Sequence, residues 1–317
     1  MNLFHLLIPF TFVTVASAAD LKAEQTYPVS GDWMGIGFDS VWEVSDGLLN
    51  RVNPQTGEII KKISMGSPRG ITIGDGSVWV PSVSDGKLYK IDPQSNTAGK
   101  VIPLKMSGTE GSIAVGGGSV WLGTDEGEQR SVNLTRVDSQ TGAVKQTIRL
   151  PLAIDAVAYE GGKVWCTSTG NGKLIAVSGT DGKVLKQIDV GPGPRFIATG
   201  AGAVWVLDQG NGDVVKIDPQ SMTVSSTIHA GVSGGGGDLA FGEGYVWAIN
   251  GGGKVAQIDP RTNQVVGNFS AGGMGDAIRA GLGSLWISGG TLHRIHLPIQ
   301  APPTPKADDP EASEIQH

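Results

Sequence analysis

Seven times along the chain a Val-Trp or Leu-Trp dipeptide recurs, ending at Trp42, Trp79, Trp121, Trp165, Trp205, Trp247 and Trp286. Successive spacings are 37, 42, 44, 40, 42 and 39 residues, so one unit of about 40 residues is repeated seven times. A period of this size, with a large aromatic at one fixed place, restricts the chain to architectures in which each unit leaves an apolar face for its neighbour to cover.

Residues 68–104, PRGITIGDGSVWVPSVSDGKLYKIDPQSNTAGKVIPL, show what a unit contains. The runs GITIG, SVWVP, KLYKI and GKVIPL read as four short strands, A to D, separated by turn residues. Asp75-Gly76 between A and B is the sequence of a tight hairpin, whose central residues both need φ > 0. Asp92-Pro93 between C and D suits the first two positions of a type I turn, and Asn53-Pro54, Asp218-Pro219 and Asp259-Pro260 repeat it. Four strands in each of seven units predict an all-β fold, a seven-bladed β-propeller with four-stranded antiparallel blades. On strand B, the tryptophans are then inter-blade packing residues rather than a binding surface. Glycine, 49 of 317 residues with no collagen period, supplies the turns such a fold requires.

The two ends complement each other. Strand C of the last unit, residues 291–297, is followed by PIQAPPTPKADDPEASEIQH, too rich in proline and charge to be a strand. Residues 298–317 are therefore expected to form a disordered tail. Residues 22–29, KAEQTYPV, precede the first strand A as a surplus strand. They are expected to become the outer strand of blade seven and close the ring, giving a propeller over residues 22–297. Residues 1–19, MNLFHLLIPFTFVTVASAA, are apolar and end in small residues, which reads as a secretory signal peptide and a secreted or periplasmic mature chain. With no Lys or Arg ahead of the apolar segment, an uncleaved anchor is the alternative. No other run approaches the roughly 18 apolar residues of a membrane span.

A formal charge of −6 offers no basic stripe for a phosphate backbone, so nucleic acid is not an expected partner. The single cysteine, Cys166, excludes a disulfide framework and a multi-cysteine metal cluster, and beside Trp165 it reads as a buried thiol.

Repetition also turns alignment into proximity, because equivalent positions on the seven innermost strands meet around one channel. Ten residues before each repeat tryptophan stand Asp32, Arg69, Gly111, Asp155, Arg195, Gly237 and Asp276, with Glu110 and Asp238 flanking the glycines. This ring begins strand A, on the face that carries the D–A and B–C loops, while the alternating residues deeper in the strand read as Ile, Ala, Val, Leu and Gly. Its arginines can grip a carboxylate or phosphate, and its carboxylates can hold a divalent cation, Mg²⁺ or Ca²⁺, or act as acid and base. The plainer alternative is mutual neutralisation, Arg69 by Asp32 and Arg195 by Asp155. In the B–C loop of blade three, Asp125, Glu126 and Glu128 are cation-ligand candidates, though a solvated charge run is the simpler reading. His293 and His296 are three residues apart on a strand and point to opposite faces, which excludes a shared metal ion. His229, near the end of strand D in blade five, is the one histidine that could reach the ring face as a candidate general base, with Asp208 as an acidic companion, although an exposed loop histidine is the plainer reading.

Units of the form GxVWV…GKLxKIDPxTGxVxxxIxVGxxPxxIAxG resemble YVTN-type repeats and the virginiamycin B lyase-like propellers over roughly residues 25–297. The lyase resemblance implies a seven-bladed ring that opens a cyclic depsipeptide by elimination, with a histidine base, glutamates and a magnesium ion at its centre. That family places glutamate three residues after the strand B tryptophan. Here those positions are Ser45, Ser82, Thr124, Ser168, Asp208, Asn250 and Gly289, so no catalytic residue carries over. Two readings follow: a monomeric propeller binding a small molecule or protein at the channel face, and, as the alternative, a metal-assisted lyase or hydrolase using Asp155, Asp276 or Asp208 with His229.

Overall fold

The computed structural model describes residues 21, 23–29, 31–106, 113–124, 132–272 and 275–297. The signal segment, the C-terminal tail, Glu110, Gly111 and the acidic residues of the blade-three loop lie outside the described residues.

Seven four-stranded antiparallel sheets form the ring. In each, a strand A such as Val157–Glu160 lies innermost, followed outward by Lys163–Ser168, Lys173–Ser178 and Val184–Asp189 in the case of blade four. The local turn chemistry holds as the sequence predicts. Asp75 and Gly76 both adopt positive φ, 48° and 73°. Asp92 Oδ1 accepts the N–H groups of Gln94 and Ser95, bonds that hold its carboxyl below the ordinary range.

All seven repeat tryptophans are completely buried. Each packs against the following blade: Trp165 meets Val204, Val206 and Val215 of blade five, and Trp286 of the last blade meets Met34, Val41 and Val52 of the first. A blade has two faces and only one core residue layer on each, so this stacking is what removes its apolar surface from water. Six of the indole N–H groups donate to the carbonyl five residues earlier, at 3.0 to 3.2 Å. Five blades add a cation from strand C over the indole: Arg51, Lys90, Arg136, Lys216 and Arg294 lie 5.0 to 5.4 Å from the ring centroids. The same five donate to a carbonyl in the next blade's C–D turn, Pro93, Ser139, Thr180, Pro260 and Pro54 respectively. Every such side chain thus ties its own tryptophan to the neighbouring blade.

Ring closure follows the expected scheme with a shorter strand. Gln25–Tyr27 pairs antiparallel with Leu292–His296, the third strand of blade seven, and so supplies its outer edge. Tyr27 stacks on Trp286 with centroids 6.4 Å apart. Its ring also fills the space at Gly57 of blade one, where a Cβ would come within 1.8 Å of it. One side chain therefore spans the seam between the last blade and the first.

Cys166 is fully buried in the cluster between blades three and four, and burial pushes its thiol up, so it is a packing residue. No helix among the described residues is long and apolar enough to cross a membrane.

Candidate functional site

Four of the counted positions are equivalent in the structure. The N–H groups of Asp32, Arg69, Asp155 and Asp276 each donate to the residue two beyond the tryptophan of strand B, to Val44, Pro81, Thr167 and Ser288, at 2.9 to 3.2 Å. These four begin strand A in the same way in their respective blades.

Arg195 differs. The GPGPRFI sequence reads as a D–A connection, but strand A of blade five already starts at Pro194, which pairs with Asp208, and the register shifts before Phe196. Arg195 is thus the extra residue of a β-bulge, a device that re-aims a side chain. Its carbonyl accepts the Thr167 hydroxyl of blade four at 2.9 Å, and its guanidinium lies 5.6 Å from the Phe196 ring centroid. Arg69 is exposed and sits 5.8 Å from the Trp33 centroid. Among the described residues no ion pair joins Arg69 to Asp32, which overturns that neutralising pair.

Two buried carboxylates serve loops. Asp208 accepts the N–H groups of Gly193 at 2.7 Å and Gly210 at 3.0 Å through Oδ1, fastening the D–A connection to strand B. Gly191, at φ +112°, lies so near Oδ2 that a Cβ would stand 1.8 Å from it. Asp155 accepts the Thr169 N–H at 2.8 Å through Oδ2, while its buried Oδ1 has no hydrogen-bond partner among the described residues. Asp276 is half-buried at the rim. His229 closes the outermost strand of blade five, Thr223–His229, where Nδ1 meets Asp213 Oδ1 at 2.7 Å. Three strand spacings, about 14 Å, separate that edge from the innermost strand. His229 is a peripheral, exposed ring, so the structure does not bring it to the channel acids.

At the centre of the ring lies a cavity of about 420 Å³, to which the inner strands of all seven blades contribute. Among the described residues its lining side chains are largely aliphatic and aromatic, with one charged pair, Asp238 and Arg279, while exposed backbone makes more of the lining surface polar than apolar. Asp238 accepts the N–H of Leu239 at 2.8 Å and, across the blade boundary, that of Ile278 at 3.2 Å, and it receives Arg279 Nη1. Arg279 corrects the expectation that the deeper positions of strand A are small or apolar throughout. It stands seven residues before Trp286, where the other blades carry Gly35, Thr72, Ala114, Ala158, Ala198 and Ala240. That lone outlier was visible in the alignment of repeats.

Glu43 is the second residue the sequence reading passed over. It follows Trp42, where other blades place Val80, Leu122, Cys166, Val206, Ala248 and Ile287. Its side chain is completely buried; Oε2 accepts Asn50 Nδ2 at 3.3 Å and Oε1 has no hydrogen-bond partner among the described residues. Burial pushes the carboxyl up to about 7, the Asn50 bond opposes this, and the charge of Asp32 adds to it. Gly31 makes room, since a Cβ there would lie 2.5 Å from Glu43 Cγ.

Among the described residues the magnesium ion implied by the lyase resemblance finds no matching donor set. Among the described residues no group of three or more His, Cys, Asp or Glu side chains converges. Asp208 Oδ1 is committed to backbone N–H groups, its buried Oδ2 lies against Gly191, and His229 lies on the outer edge.

No protein-family model matches this chain, and no curated protein matches it. Among solved structures, BamB from Moraxella catarrhalis superposes with a TM-score of 0.62, over 87% of this chain and 100% of that one, at 15% sequence identity. At that identity the likeness is one of fold.

Proposed function

We propose that this chain is a binding propeller, secreted or periplasmic, that takes a small molecule or a protein at the channel face. Asp32, Arg69, Glu110, Asp155, Arg195, Asp238 and Asp276 are the proposed contacts. The observation that carries this reading is the central cavity itself: the inner strands of all seven blades line it, and it holds the charged pair Asp238 and Arg279. Elimination or hydrolysis is the less supported reading, because the candidate base is paired with Asp213 on the outer strand. Kinship with the YVTN-type and virginiamycin B lyase-like propellers is proposed from the form of the repeat alone.

A thermal-shift screen of small anions, followed by titration of the hits, tests the rim. Replacing Arg69 and Arg195 together by alanine is expected to weaken anionic hits by about 10-fold or more, the worth of a hydrogen bond to a charged group. Hits of unchanged affinity would remove the rim from the site. The proposed location is checked by N-terminal sequencing of the exported protein: a mature end near Ala18 or Ala19 is expected, and an intact Met1 would point to the anchor instead.

A further inference from the structure

The cavity contains a guanidinium held in one orientation with three of its five N–H donors unspent. Arg279 Nη1 is committed, to Asp238 Oδ2 and to the Ile278 carbonyl at 2.6 Å, whereas Nε and Nη2 make no hydrogen bond among the described residues. Nε and Nη2 form the side edge of the guanidinium, the two parallel donors that match a carboxylate. Asp238 cannot swing to take them, because it is fixed by the N–H groups of Leu239 and Ile278. Around Arg279 the ring of equivalent positions is Gly, Thr and four alanines, so the space facing that edge is not filled by side chains from the other blades. Aliphatic and aromatic residues, Ile36, Ile73, Val115, Ile197 and Phe241 among them, share the lining with exposed polar backbone, and more of the exposed lining is polar than apolar.

Resting on the channel-face reading, we propose that this cavity binds a small monocarboxylate with a compact apolar body, its carboxylate on the Nε and Nη2 edge of Arg279. Charge selects the monoanion. Arg279 and Asp238 neutralise one another, so an arriving carboxylate leaves one net negative charge in a partly enclosed space, whereas a phosphate monoester dianion leaves two. The aliphatic and aromatic side chains of the lining give a compact hydrocarbon body a surface against which to leave water.

Calorimetric titration with hexanoate and benzoate, with hexan-1-ol and hexyl phosphate as controls, tests this on the wild type, Arg279→Met, Arg279→Lys and the Arg69→Ala/Arg195→Ala double variant. The wild type is expected to bind the carboxylates saturably and with one site, to ignore hexan-1-ol, and to bind hexyl phosphate at least about 10-fold more weakly. Arg279→Met is expected to lose about 100-fold, and Arg279→Lys about 10-fold, because an ammonium cannot supply two parallel bonds. Should Arg279→Met not fold, the lysine variant carries the same decision. Absence of saturable binding of either carboxylate, equal binding by the variants, or preference for hexyl phosphate overturns the proposal. Anionic hits that depend on Arg69 and Arg195 while hexanoate fails would leave the rim reading standing and remove only this one. Hexanoate binding that survives the double variant would separate the inner site from the rim.

Discussion

Tyr27→Ala should destabilise the protein by about 3–5 kcal/mol, the range for emptying a buried aromatic site, and lower Tm by roughly 10 °C in a chain of this size. The effect follows from what one ring does. It stacks on Trp286 of the last blade and fills the Gly57 space of the first, so its loss opens a cavity at the only seam not joined by a D–A connection. Deleting residues 23–29 should cost more than this, because Leu292–His296 then becomes an unpaired edge. Tyr27→Phe should cost only about 1 kcal/mol, since the hydroxyl's closest partner is Gln25 on the same strand. Thermal melts followed by circular dichroism distinguish these. A Tyr27→Ala melt within about 3 °C of wild type would mean that blade seven holds its edge without the N-terminal strand.

Glu43→Gln should stabilise the protein at pH 8 and leave it nearly unchanged at pH 4. The folded protein holds this carboxyl near 7, whereas the unfolded chain titrates near 4.5. Between those values the folded state keeps a proton that the unfolded state has released, so stability falls as pH rises from 4.5 to 7 and levels off above. The whole span is worth about 3 kcal/mol, from roughly 1.4 kcal/mol per pKa unit. Glutamine is neutral at every pH and keeps a similar shape, so it removes this slope. Urea unfolding of both proteins at pH 4, 6 and 8 reads the difference directly, and groups such as Asp138 and Asp92, held low by turn hydrogen bonds, act equally in both. Parallel stability profiles for the two proteins would show that Glu43 is not the buried acid inferred from its surroundings.

Both residues bear on how much of this protein can be read without coordinates. Blade count, strand order within a blade, turn type at Asp75-Gly76 and the role of the tryptophans were legible because each rests on local pattern or on strict repetition. Even the surplus strand at Tyr27 was legible, since one unit lacked what another had to spare. Glu43 and Arg279 were legible only in part: each is an outlier among seven equivalent positions, yet repetition says where a residue sits and not what surrounds it.

Sequence alone therefore determined the ring, its closure and the chain positions that crowd its centre, because period-2 alternation, turn chemistry and a 40-residue repeat act through neighbours along the strand or in the next unit. Tertiary structure decided the partners. Arg279 pairs with Asp238, 41 residues away in another blade, Arg69 passes Asp32 to lie against Trp33, and Arg195 is turned by a bulge. Such choices depend on how much space the channel leaves at each level and on which donors the backbone has already used, and both quantities arise only when all seven blades are packed together.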